Sequence, residues 1–149
     1  MDMAKRVAQK MAELWQLHGN QMFVFKIAMR EELPGDLRGL CGKGYLIASL
    51  CMKEIAAIYD QLKSPLDDRS LQVPEGEITE LAEVPGLSKG RSAELMIRYL
   101  RFKQCRLLKK YTRILGHFDK TEANLKVLRD HIFVLKRLAE RLEGAGAGR

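Results

Sequence analysis

At 149 residues the chain suits one ordinary hydrophobic core and is too short for two domains of usual size. Hydrophobic residues make up 46% and charged residues 30%, and 26 Lys and Arg against 19 Asp and Glu leave a net charge of +7, which favours polyanionic partners. Cys41, Cys51 and Cys105 are odd in number and set in apolar sequence, which argues against a disulfide framework, and no apolar run approaches the roughly 18 to 20 residues of a membrane span.

Met1-Asp2-Met3-Ala4-Lys5-Arg6 lacks the apolar stretch of a signal peptide, so the expectation is a soluble intracellular protein, cytoplasmic or nuclear, with no membrane partner. From Asp2 to His18, apolar residues recur at helical spacing (Met3, Val7, Met11, Leu14), and Gly19-Asn20 reads as the stop. A second helix is expected from Met22 to Leu33, ended by Pro34-Gly35. The glycine-rich run Gly39-Leu40-Cys41-Gly42-Lys43-Gly44 reads as a bend. It is no phosphate loop, because Leu37 stands where the first glycine is needed and Gly44 where Ser or Thr is needed. Tyr45 to Lys63 is apolar on more than one face and predicts a central, buried helix.

Ser64 to Gly76 has no period and reads as a connector. The stretch from Asp60 to Val84 carries acids at 60, 67, 68, 75, 77, 80 and 83 against bases at 63 and 69, a belt of −5. A short helix over 78–83, a Pro85-Gly86 turn and a long helix over 89–115 follow, then a turn at Gly116 to Lys120 and a last helix over 121–142. Residues 144–149 are expected to form a disordered tail. Ile97, Leu100, Gln104, Leu107, Tyr111 and Ile114 are spaced alternately three and four apart, as are Leu125, Leu128, Ile132, Leu135, Ala139 and Leu142. Two such seams joined by a short turn predict an antiparallel helical hairpin over 89–142. The expected architecture is one all-α domain over 1–143, with the other helices packed on that hairpin.

The segment Ile78 to Leu95 (ITELAEVPGLSKGRSAEL) places Leu81, Val84, Pro85, Gly86, Leu87 and Leu95 in an apolar-Pro-Gly-apolar pattern that opens onto a helix. This segment resembles a helix-hairpin-helix DNA-binding motif. The resemblance implies that backbone N–H groups of the turn, from Gly86 through Ser88, Lys89, Gly90 and Arg91, hold a DNA phosphate, as unpaired amides at a helix start can. Ser88 stands where that family has its second glycine, and Ser92 where it has alanine. The alternative reading is an ordinary Pro-Gly turn between packed helices.

The helix after the turn carries Arg98, Arg101, Arg106, Lys109 and Arg113 on the arc opposite the Leu100/Leu107/Tyr111 seam. From Pro85 to Leu142, 15 bases stand against five acids, a local charge of +10. Phe102 within the basic arc and Phe133 off the last seam are expected to pack on the first three helices, with base stacking or partner contact as the alternative.

No catalytic residue emerges: His18, His117 and His131 have no cysteine, second histidine or paired carboxylate at ligand spacing along the chain, and His117 with Asp119 forms only a weak surface dyad. No metal and no cofactor are expected, and Cys41 and Cys51 read as small core residues. The leading expectation is a non-catalytic nucleic-acid-binding subunit of a larger complex, with DNA ahead of RNA. The alternative is a helical scaffold that binds partner proteins, or a second copy of itself, through the C-terminal hairpin.

Overall fold

The computed structural model describes residues 3–30, 33–62, 93–118 and 123–147. Among them it holds four α-helices and no strand: α1 (Met3–Arg30), α2 (Gly35–Leu62), α3 (Ala93–Leu115) and α4 (Ala123–Ala147). The all-α class expected from the periodicity is the class the chain adopts.

The helices form a four-cornered bundle in which α1 packs on α2, α2 on α4, α4 on α3 and α3 on α1. Phe25 faces Gly44 and Met29 faces Gly42, so α1 and α2 are antiparallel. Tyr111 with His131 and Arg101 with Glu143 set the same antiparallel register between α3 and α4. One end of the core joins Phe25 and Ala28, Leu37 to Cys41, Met96 to Leu100, and Leu138 with Leu142. The other joins Met11 and Leu14, Cys51 to Ile58, Leu107 to Ile114, and Leu128 with Leu135. The starts of α2 and α3 share the first end, so these helices run in the same direction at diagonal corners, and the end of α2 and the start of α3 lie at opposite ends of the bundle. Two hairpins joined by one long crossover is an established way to close four helices around a core.

Three boundaries differ from those expected. Gly19-Asn20 does not end the first helix: α1 continues to Arg30, with His18, Gly19, Asn20 and Gln21 all buried. A glycine costs about 1 kcal/mol in a helix interior, and burial of the stripe Met11, Leu14, His18, Gln21, Phe25, Ala28 outweighs it. The glycine-rich run 39–44 is likewise no bend but the first turns of α2. Leu37, Leu40, Cys41, Gly44, Ala48, Cys51, Ile55 and Ile58 make one unbroken buried stripe, and Gly44 lets the Phe25 ring lie against the backbone, where a Cβ would overlap it. Finally, α4 continues to Ala147, with Leu142 buried and Ala145 packed on the core, so residues 144–147 are helical and not the start of a disordered tail. The expected helix over 78–83, and residues 89–92 of the long helix, lie outside the described residues.

The α3 seam is buried at every expected position, Gln104 included. On α4, Leu125, Leu128, Leu135 and Leu142 are buried, but Ile132 and Ala139 are only half-buried, and His131 and Leu138 fill the deep positions beside them. The wider stripe reflects contact with α2 as well as α3.

Candidate functional site

Helix α3 carries seven cations and one acid, Glu94 at its start. The bundle sorts these cations. Lys103 is 93% removed from solvent and lies over the Tyr99 ring at 5.6 Å, while Lys110 pairs with Glu13 of α1. Arg98, Arg101, Arg106, Lys109 and Arg113 all stand exposed on the outer arc, as their spacing implied. From Arg98 to Arg113 that arc is roughly 22 Å long at 1.5 Å per residue. Arg101 reaches Glu143 of α4 at 3.6 Å, a loose surface pair, and no carboxylate among the described residues pairs with Arg98, Lys109 or Arg113. Gly86, Ser88, Lys89, Gly90 and Arg91 lie outside the described residues.

Phe102 and Phe133 do not pack on the first helices. They are 56% and 63% exposed, because each projects from the outer arc of its helix, away from the seam. The Arg106 guanidinium covers the Phe102 ring at 5.7 Å and that of Arg137 covers Phe133 at 5.9 Å, which shields part of each ring while leaving a face open. Phe133 also borders a groove of about 210 Å³ between α2 and α4, floored by Leu40, Ile47 and Leu138 and rimmed by Lys43, Arg137 and Arg141.

Inside the bundle, all four helices give polar side chains to a common centre. His18 of α1 contacts Tyr111 of α3 at 2.7 Å (Nε2 to Oη), and Tyr111 contacts His131 of α4 at 2.8 Å (Oη to Nδ1). The other ring nitrogen of His131 reaches Glu54 of α2 at 3.2 Å, at the edge of the core. Cys51 of α2, one turn before Glu54, brings its thiol to within 4.8 Å of a nitrogen of each histidine. The three rings meet edge to face, with centroids 5.7 to 6.4 Å apart.

The protonation pattern follows from the partners. Burial lowers the pKa of His131 and keeps the ring neutral, although Glu54 pulls the other way. The Glu54 carboxylate only accepts, so the proton sits on Nε2 and the bare Nδ1 accepts the Tyr111 hydroxyl proton. Tyr111 Oη in turn accepts from His18 Nε2–H, which leaves His18 Nδ1 with a lone pair. That atom is buried and has no hydrogen-bond partner. Burial, and the neighbouring His131, press the His18 pKa down to about 3, while burial pushes the Cys51 thiol up to about 12 and raises Tyr111 well above its usual range. His18, Cys51, Tyr111 and His131 are therefore all neutral at pH 7.

Reasoning along the chain missed this centre. The histidines have no cysteine at ligand spacing in sequence, yet the fold sets Cys51 beside both His18 and His131. The available signal was positional: His18, Cys51, Tyr111 and His131 each fall on the buried stripe of their own helix, where a polar side chain needs a partner. No protein-family model, curated protein or solved structure matches the chain. Among the described residues, no helix of the bundle is long and apolar enough to cross a membrane.

Proposed function

We propose that this is a non-catalytic nucleic-acid-binding protein that grips phosphates along the outer face of α3, with DNA as the preferred ligand ahead of RNA. The observation that carries the reading is the exposed arc of Arg98, Arg101, Arg106, Lys109 and Arg113, which has no acid of its own helix beyond Glu94. Clustered arginine and lysine on one rigid face is the arrangement that releases counterions from a phosphate backbone, and Phe102 within it offers a ring for an unpaired base. Lys89 and Arg91, with Gly86, Ser88 and Gly90, precede α3 in the chain and are included in the proposed contact on the strength of the sequence pattern. Grip of this kind carries little sequence preference.

The double variant Lys109→Glu/Arg113→Glu tests the reading. We expect weaker binding to short duplexes of any sequence, with an unchanged helical circular dichroism spectrum. Wild-type affinity in that variant would remove the α3 face from the site.

A second reading rests on a different observation, the α2–α4 groove with Phe133 63% and Val134 39% exposed at its edge. Such a groove suits an apolar helix of a partner protein, with Lys43, Arg137 and Arg141 favouring acidic residues on its flanks. Under this reading Phe133→Ser loses a partner that the wild-type protein captures, whereas equal capture by both proteins counts against it.

A further inference from the structure

The buried centre has more donors than a hydrogen-bond chain needs. The chain from His18 through Tyr111 and His131 to Glu54 takes in Cys51 as well, whose thiol lies in hydrogen-bonding contact with Tyr111, and it still leaves His18 Nδ1 buried and unpartnered. Four helices therefore converge two imidazoles, a thiol and a phenol on one spot inside the core. Burying that many polar groups is costly unless something compensates them.

We propose that His18, Cys51 and His131 bind one Zn2+ ion, with Tyr111 Oη closing the fourth position, as a structural site that ties the two hairpins together.

The donor set is of the kind zinc prefers, nitrogen and sulfur. The ligand atoms lie within 4.8 Å of one another, and tetrahedral Zn–N and Zn–S bonds of about 2.0 and 2.3 Å would draw them together by roughly 1 Å. Glu54 already sits where an outer-sphere carboxylate belongs, accepting from His131 Nε2 and turning Nδ1 inward as a ligand. Binding displaces the Cys51 Sγ proton to solvent, leaving a thiolate that partly neutralises the cation, while His131 offers its bare Nδ1 and His18 offers Nε2 once its ring proton has shifted to Nδ1. The ligands come from α1, α2 and α4 and the phenol from α3, so one ion would link all four corners of the bundle. The three ligands are buried and Tyr111 occupies the remaining side, which marks the site as closed and structural, with no place for a substrate.

Co2+ and Zn2+ are the probes. Protein stripped with a chelator is titrated with Co2+ and followed by the near-ultraviolet charge-transfer band of a cobalt-bound thiolate, and Zn2+ uptake is followed by the thermal unfolding midpoint. We expect saturation at one Co2+ per chain, displacement by Zn2+, and a higher midpoint with Zn2+. Cys51→Ser should lose the band, while Cys105→Ser, which changes only an exposed thiol, should keep it. His131→Gln should weaken Co2+ binding at least tenfold. The wild-type titration needs no variant to fold: absence of a thiolate band or of any Zn2+-induced rise in midpoint overturns the proposal. Persistence of the band in folded Cys51→Ser overturns it equally, since another cysteine would then be the ligand.

Discussion

Tyr111 and His131 meet at 2.8 Å in the middle of the bundle, and the same tyrosine hydroxyl accepts from His18 at 2.7 Å. One oxygen thus satisfies two buried imidazoles from different hairpins, and removing it strands both. In metal-free protein, Tyr111→Phe should lower stability by about 1 to 3 kcal/mol, the usual cost of leaving buried polar atoms unpaired. Urea unfolding in the presence of a chelator measures this, and an unchanged midpoint would show that the hydroxyl contributes nothing.

Acid should loosen the same centre. The folded state holds His18 at a pKa of about 3 against 6.5 for the free side chain, so between those values the unfolded chain binds a proton that the folded chain does not. The resulting stabilisation is fully present above the unfolded value and is lost as pH falls from there toward the folded one. Between pH 7 and pH 5 this amounts to about 2 kcal/mol for His18, with His131 acting in the same direction. Unfolding free energies at the two pH values, with chelator present, should fall by at least this amount in wild type and by less in His18→Gln. Equal pH sensitivity of the two proteins would remove His18 as the source.

Gly39 and Gly44, near the start of α2, should respond oppositely to alanine. Gly39 has open space around the position of a Cβ, so Gly39→Ala should gain up to about 1 kcal/mol of helix propensity. A Cβ on Gly44 would overlap the Phe25 ring, itself only 1% exposed, so Gly44→Ala should cost about 1 to 3 kcal/mol through overpacking. Chemical denaturation of both variants checks the pair, and a stabilised Gly44→Ala would show that α1 and α2 do not approach as closely as described.

How far each feature was legible in the sequence depends on whether its cause is local. The α3 seam from Ile97 to Ile114 was readable because six spaced residues all face one partner side, and all six are buried. The basic arc was readable for the same reason, since it is the complement of that seam. Gly19 and Gly39 to Gly44 misled because their backbone freedom is a local penalty, whereas the burial that overrides it comes from a helix elsewhere in the chain. The buried centre was hidden more deeply. His18 and His131 lie 113 residues apart, so only the arrangement of the helices brings them together. The phase of Phe102 within the basic arc and of Phe133 off the last seam was legible, but the expectation that the first helices would cover them was not met, because α1 and α2 pack on the seam side and leave both outer arcs open.

Phe133 also separates the two functional readings. It sits on the α2–α4 groove, away from the outer arc of α3, so Phe133→Ser should leave nucleic-acid affinity unchanged and alter stability by less than about 0.5 kcal/mol. Fluorescence anisotropy and thermal unfolding of this variant provide the check; a marked loss of nucleic-acid binding would move the site to α4.

Fluorescence-anisotropy titration of the wild-type protein with short single-stranded and double-stranded DNA and RNA, at several salt concentrations, tests whether the α3 face binds phosphates. Five exposed cations on α3 predict binding whose logarithm falls linearly with log salt, with a slope near 0.7 to 0.9 for each of about three to five phosphates contacted. No binding near physiological salt, or binding indifferent to salt, would contradict the account and leave the α2–α4 groove as the surface to pursue.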